Sequence, residues 1–594
     1  MPESENASPA LVAAQKAEAE VSKCLEHRTS FLLEAGAGAG KTYSLVEALK
    51  KVLAEEGRKL HRNNQQIACV TYTNAAVNVI TARIDGNRLA TVSTIHAFWW
   101  GILKTFQPIL RKEIHNLEKW RERLEAGPSL TAQTIEYDQG FRNLTEEVIS
   151  LHHDDVISLA SIFLSVPKFQ AIVASRYPYL FIDEYQDTDA GLMNAIKANL
   201  FDREAGPTIG LFGDHWQRIY EDTCGHVAGL KEIGKGANFR SATAIVSSLN
   251  RIRPELPQAV KDEQFAGSAF VFHTNSWSGT RLSAGRGGHW KGDLPADEAH
   301  RFLDLCVEVL KQSRWDFAPD KTKVLLLTHN SLAAEQGYAQ LAKVFQFTDS
   351  YIKKTDPHIA FFADQLEPAV AAYSSHRFAA MFDSLGETAP RLSSSRDKNK
   401  WSGAMDELIS VRETGRIGDV IDCLLHNGIP RLPESVTRRE KEARDWRTIE
   451  GSDTPEEITR IRNLREIPYS EVMALVKYLN GHTPFMTKHS VKGDEFENVL
   501  VVLGRGWNKY DFDQYLRLAA NPGGIPVDKA DAYERNRNLF YVCCSRPTTR
   551  LALLFTQLLS PESVAVLQSW FGREHVFDVG NGSFPELSNQ TELA

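Results

Sequence analysis

The sequence predicts an α/β protein with two parallel-sheet lobes, each interrupted by a mostly helical insertion. Three observations predict it. Short apolar runs that stop abruptly at polar or acidic residues recur at 31–33, 67–70, 179–182, 209–212, 323–327, 498–503 and 550–555, as expected of strands buried on both faces of a parallel sheet. The first run passes through a loop of alternating Gly and Ala into a helical pattern. Between the groups of strands lie two long stretches, 101–169 and 350–477, with apolar residues at helical spacing among charges.

A chain of 594 residues is too long for one core, and its length suggests about three or four domains. The first lobe is expected to comprise 1–100 and 170–237, with 101–169 inserted as a helical unit. The second is expected to comprise 238–349 and 478–594 around the insertion 350–477. A composition of 42% hydrophobic and 24% charged residues is that of an ordinary soluble protein. The net charge of −8 argues against a generally basic coat, yet leaves room for a local basic groove. Seven cysteines without a C-x-x-C pair support neither a metal cluster nor a disulfide framework, and fit a reducing compartment. The acidic start and the lack of a transmembrane-length apolar run lead us to expect a cytoplasmic protein with no membrane partner.

The chemistry begins at residues 31–42, Phe-Leu-Leu-Glu-Ala-Gly-Ala-Gly-Ala-Gly-Lys-Thr. Small residues between a strand and a helix N-terminus let backbone N–H groups approach phosphates. The cradle is Ala35, Gly36, Ala37, Gly38, Ala39 and Gly40. Lys41 is placed to reach the β- and γ-phosphates, and Thr42 to ligate magnesium. Ala35 stands where the strict phosphate-loop pattern has glycine. The run 179–182 leads into Asp183-Glu184-Tyr185-Gln186-Asp187. Adjacent carboxylates at a strand's C-terminal end suit ATP hydrolysis: Asp183 holds a metal through water, and Glu184 orients the attacking water.

Further pieces follow in order: Val70-Thr71-Tyr72-Thr73-Asn74-Ala75-Ala76, Gly213-Asp214-His215-Trp216-Gln217-Arg218-Ile219-Tyr220, Asn238-Phe239-Arg240-Ser241, residues 486–496 and residues 538–547. With 35–42 and 183–187, they make a series that resembles the superfamily 1 helicases of the UvrD/PcrA/Rep type. The resemblance implies two RecA-like motor domains of the P-loop NTPase class, with ATP and Mg2+ as substrate and cofactor and single-stranded or partly duplex DNA as partner.

It also implies roles residue by residue. Gln217 matches the γ-phosphate sensor, and Arg240 and Arg546 match arginine fingers from the second lobe. Phe239 matches an adenine-stacking aromatic, Glu495 a carboxylate near the ribose, and Gly493 part of a phosphate-proximal turn. Gln15 is the candidate adenine reader. Tyr72, Thr73, Asn74, Thr94, His96, Tyr220 and His489 fall where the family contacts nucleic acid. An arginine supplied across a cleft completes the site only when two lobes close, which ties hydrolysis to domain motion.

Two positions depart from the family. Asp222 stands where relatives carry a base-stacking Trp, and Ala75 replaces a Lys that contacts phosphate. Such a stack contributes about 1–3 kcal/mol, so the DNA half is altered while the ATPase half is kept. The basic loop 276–296, with Trp277, Arg281, Arg286, Trp290 and Lys291, suits single-stranded nucleic acid by charge and stacking; a solvated connector is the simpler reading. The leading functional expectation is an ATP-driven translocase or helicase on single-stranded DNA, of 3′-to-5′ polarity by resemblance. The alternatives are a nucleotide-gated DNA-end sensor that regulates a partner nuclease, and a DNA repair helicase. Residues 489–502 and 538–555 particularly resemble helicase-like proteins paired with OLD-type nucleases in anti-phage defence.

Overall fold

The computed structural model describes residues 8–125, 133–137, 142–201, 206–283, 291–389, 392–447, 454–487, 494–504 and 509–587. In chain order the strands are β1 (Phe31–Ala35), β2 (Ile67–Thr71), β3 (Ala90–Thr94), β4 (Thr134–Tyr137), β5 (Asn143–Leu144), β6 (Val148–Leu151), β7 (Tyr179–Asp183), β8 (Thr208–Gly213) and β9 (Lys231–Lys235). They continue as β10 (Ala237–Asn238), β11 (Ala259–Val260), β12 (Ser268–His273), β13 (Thr322–Leu326), β14 (Phe485–Thr487), β15 (Phe496–Leu503), β16 (Pro547–Phe555) and β17 (Val576–Asp578).

Among the described residues, two six-stranded sheets form the lobes, in the orders β3-β2-β7-β8-β1-β9 and β14-β13-β15-β16-β12-β17. Every pairing within them is parallel. The fold is thus α/β, as expected. Strands β1, β2, β7 and β8 are buried along their whole length, because helices cover both faces; this is why they read as continuous apolar runs rather than alternating ones. Their register sets the site. Leu33 of β1 and Asp183 of β7 both pair with Phe212 of β8, so three strand ends finish level at the sheet edge where open α/β folds bind ligands.

The stretch 101–169, expected to be helical, also contains a small sheet in the order β4-β6-β5. Ile135 and Ile149 are buried from its strands while their neighbours are more exposed, a period-two pattern too short to stand out among the surrounding helices. The second insertion is helical, with its own core around Phe362, Leu366, Met405, Ile421 and Tyr469. Among the described residues no single helix is long and apolar enough to cross a membrane. One bent pair, His153–Leu164 with Pro167–Arg176, passes by length and composition together, but its apolar residues Leu159, Phe163 and Phe169 lie inside the first lobe's core.

Strands of the first sheet all precede residue 236, and those of the second all follow residue 267. Between them β10 pairs in parallel with β11. Asn238, the expected start of the second lobe, closes β10 beside the phosphate loop.

Candidate active site

The loop after β1 leads into the helix Lys41–Arg62, whose N-cap Gly40 is left-handed at φ 77°. Gly38 is also left-handed, at φ 73°, and a Cβ there would stand 2.7 Å from Asn238 Oδ1 and 2.9 Å from Arg240 Cβ. Only glycine satisfies both the backbone and the close approach. Ala35, which breaks the strict pattern, is fully buried at the end of β1; its methyl lies in the core around Leu33, Leu45 and Phe212. The second lobe touches this loop directly. Asn238 Nδ2 and Gln258 Nε2 both donate to the Ala37 carbonyl, at 3.2 and 3.0 Å, and Phe239 N donates to the Gly38 carbonyl at 2.9 Å.

Across the sheet edge, Lys41 Nζ lies 3.4 Å from Glu184 Oε1. Glu184 itself is left-handed at φ 47°, an uncommon conformation for a non-glycine residue and one often found at functional sites. Asp183 is buried, and its Oδ2 accepts a long hydrogen bond of 3.5 Å from Thr71 Oγ1. Its Oδ1 is buried with no hydrogen-bond partner. Burial, and next the charge of Glu184, push the Asp183 carboxyl up to about 7 while Lys41 pulls it down. An orphaned carboxylate oxygen in a negative setting is what a divalent cation satisfies, so Asp183, with Thr42 in the helix's first turn, fits magnesium.

The second lobe supplies two arginines. Arg546, between the helix Ala530–Cys544 and β16, is 2% exposed. It donates to Gln217 Oε1 at 3.0 Å and to the Val542 carbonyl at 3.2 Å. Among the described residues no carboxylate lies within ion-pair distance of it. Burial, and then the nearby Arg240, lower the Arg546 guanidinium to about 10. Arg240 Nε lies 2.7 Å from Glu495 Oε2, at too oblique an angle for a hydrogen bond, and its Nη1 is buried without a hydrogen-bond partner. Two neighbouring guanidiniums, one of them near Glu184 and both lacking full countercharge, make a site for a polyanion.

One cluster escaped sequence reasoning. Arg253, 2% exposed, reaches from the second lobe to Asp214 Oδ1 at 2.6 Å and Glu34 Oε1 at 3.4 Å. Its guanidinium also lies 5.1 Å from the centre of the Trp216 ring. Glu34 precedes the phosphate loop, and its other oxygen accepts from the Tyr185 hydroxyl at 2.9 Å. Burial pushes the Asp214 carboxyl up, but Arg253, Lys41 and Gln217 together hold it below its ordinary range. Ligand atoms of Glu34, Asp214 and His215 lie within 4.8 Å of one another, a spacing suited to a metal; here the guanidinium of Arg253 supplies the positive charge. In sequence Arg253 reads as a helix-ending cation, and no local pattern marks it.

The other expected site residues divide. Phe239 is partly exposed beside the loop. Gln15 is exposed on the helix Pro9–Glu26, one residue after Ala14, which packs against Ala237. Glu495 pairs with Arg240. Gly493 and His489 lie outside the described residues, as do Arg286 and Trp290. Tyr72, His96, Tyr220 and Asp222 line a cleft of about 1420 Å3 that also borders His329 and Tyr510 of the second lobe. Thr73 and Thr94, expected at nucleic acid, use their hydroxyls as helix caps, accepting from Ala76 N and Ala97 N. Asn74 opens the helix that Thr73 caps. Burial, then the adjacent His153, lower His96 to about 4, so it faces the cleft as a neutral ring at neutral pH. Cations near the cleft are largely neutralised: Arg142 by Asp155 at 2.8 Å, Lys119 by Asp154 at 3.2 Å, and Lys509 by Glu221 at 2.8 Å. Arg281 donates to the Gly292 and Thr556 carbonyls at 3.1 and 2.9 Å, which ties its loop to the second lobe.

Two parallel-sheet lobes that meet over a phosphate loop, with paired carboxylates on one and arginines on the other, make the site of an ATP-hydrolysing helicase. Residues 17–223 match the family model AAA_19, described as an AAA domain. The chain is similar to the Gabija protein GajB of Bacillus cereus (strain HuB5-5), at 22% identity across 91% of this chain and 95% of that relative.

Proposed function

We propose that this protein is an ATP-driven motor on single-stranded DNA, moving 3′ to 5′ and serving with an OLD-type nuclease partner in Gabija-type anti-phage defence. The observation that carries the motor reading is the hydrogen bond of 3.0 Å between Arg546 of the second lobe and Gln217 of the first, which joins the lobes across the ATP site. In this reading Lys41 and the loop amides hold the phosphates, and Gln15 and Phe239 hold the base. Thr42 and Asp183 hold magnesium, which supplies positive charge to the phosphate oxygens. Glu184 orients the attacking water and accepts its proton. Arg240 and Arg546 offset the charge that builds on the transferred phosphoryl group, and Gln217 reports its presence across the lobe boundary. Tyr72 and Tyr220 offer stacking faces to bases in the cleft.

A second reading, a nucleotide-gated DNA-end sensor that regulates its nuclease with little unwinding, is favoured by the cleft. Asp222 stands at the stacking position, and the cleft's cations are paired with carboxylates. Measuring ATP hydrolysis with and without single-stranded DNA, and then unwinding of a duplex with a 3′ overhang, separates the two. DNA-stimulated hydrolysis with unwinding supports the motor. Stimulated hydrolysis without unwinding by the isolated protein supports the sensor, and hydrolysis indifferent to DNA overturns both.

A further inference from the structure

Arg253 ends the helix Thr243–Ile252 as its C-cap. A basic residue there usually serves the helix dipole by lying at the surface near the last carbonyls. Arg253 does otherwise. Its side chain crosses into the first lobe, is nearly free of solvent, and spends its charge on two first-lobe carboxylates at 2.6 and 3.4 Å.

The consequence passes through Asp214, which is fully buried. Its Oδ1 takes Arg253 Nη1 and also Trp216 N at 3.1 Å. Its Oδ2 takes Gln217 Nε2 at 2.8 Å. With its amide nitrogen bound there, Gln217 must present Oε1 the other way, and Arg546 Nη2 donates to that oxygen. An ionised Asp214 only accepts hydrogen bonds, and this fixes which end of the Gln217 amide faces the arginine finger. Without Arg253 the buried carboxylate loses its principal countercharge. Burial then pushes the carboxyl toward its protonated form, whose O–H can donate; that favours the flipped amide and sets an NH2 group against the Arg546 guanidinium.

We propose that Arg253 is a third inter-lobe arginine of the ATPase: a positioning residue that keeps Asp214 an acceptor and thereby holds Gln217 in the orientation that meets Arg546. The inference rests on the reading of Gln217 as a residue of the hydrolysis site. Arg253 acts through Asp214, not on nucleotide. Because it comes from the second lobe, the correct orientation of Gln217 is available only when the lobes are together.

The test compares R253M, R253K, D214N, Q217A and the double variant R253M/Q217A in the full chain. The readouts are steady-state ATP hydrolysis, binding of a fluorescent ATP analogue, and melting temperature. R253M and D214N should each lower kcat by about tenfold or more, as displacements near a reacting centre do, with analogue affinity little changed. R253K, whose ammonium reaches one carboxylate rather than two, should fall between R253M and the wild type. R253M/Q217A should be no slower than Q217A alone, since both substitutions disable the same group. Multiplicative losses, or a kcat for R253M equal to wild type while Q217A is slow, overturn the proposal. If Q217A itself turns over normally, the reading of Gln217 fails, a distinct result. A merely structural role would lower the melting temperature without producing this non-additivity. Should R253M fail to fold, R253K combined with Q217A supplies the same comparison.

Discussion

Replacing Arg546 by Met should separate catalysis from stability. The guanidinium is buried, has no carboxylate within ion-pair distance among the described residues, and is lowered to about 10 by burial and the neighbouring Arg240. It remains charged at neutral pH, so the folded protein carries the penalty. At 1.36 kcal/mol per pKa unit, that penalty is about 3 kcal/mol. Methionine removes it and fills much of the same volume, but it leaves Gln217 Oε1 without a donor, at about 1–3 kcal/mol, while the Val542 carbonyl keeps Ser545 N and Oγ at 3.3 and 3.0 Å. The two effects are of similar size. The melting temperature of R546M without nucleotide should therefore stay close to wild type, although a buried, multiply hydrogen-bonded arginine has been lost. Turnover should fall by about a thousandfold or more, the usual effect of losing an arginine finger. Added ATP should raise the wild-type melting temperature more than that of R546M, because only the wild type gains an anion for its uncompensated cation. Differential scanning fluorimetry with a coupled ATPase assay reads both quantities. A large drop in melting temperature combined with near-normal turnover would refute the reasoning, since Arg546 would then be a structural strut.

Three further predictions concern other parts of the molecule. K41A and E184Q should both abolish hydrolysis, with E184Q still binding an ATP analogue because it leaves Lys41 to the phosphates; measurable turnover in either removes the site assignment. D222W should tighten single-stranded DNA binding in fluorescence anisotropy by the 1–3 kcal/mol typical of a base–aromatic stack, about 5- to 150-fold, and an unchanged affinity would show that bases do not pass this point. His96 is held at about 4, mainly by burial, so the unfolded chain takes up a proton below its ordinary value of 6.5 that the folded protein refuses. Stability should therefore fall as pH drops from about 6.5 toward 4, and H96N should lose less melting temperature than wild type between about pH 7.5 and pH 5; parallel curves would contradict the shift.

The ATP half of the site was legible because its parts are local. A phosphate loop, a strand ending in Asp183-Glu184 and the turn Asn238–Ser241 each carry their chemistry within a few consecutive residues, and both sheets followed from apolar runs of strand length. Arg253 and Glu34 were not legible. Their partnership spans 219 positions and joins a helix cap to a strand, and neither residue type is unusual where it stands. The small sheet β4-β6-β5 was missed because alternation over four residues carries little signal between amphipathic helices. Thr73 and Thr94 were placed at nucleic acid through the resemblance; their positions before helices Asn74–Arg83 and Ile95–Leu103 were themselves readable as capping signals.

The chain leaves the first sheet at β9 and enters the second at β12, and the first peptide of that passage joins β9 to β10. That peptide is pinned at its start, where Lys235 Nζ donates to Ser44 Oγ at 2.7 Å, and at its end, where Asn238 grips the Ala37 carbonyl. It therefore works as a fulcrum set against the phosphate loop. A rotation about it would move Asn238 very little, while Arg546, whose contact with Gln217 lies away from this hinge, would sweep a longer arc. Lobe opening thus breaks the Arg546–Gln217 contact before it disturbs the loop. On the proposed reading the two ends of this lever would give an order of release, with the γ-phosphate end letting go first and the cradle last.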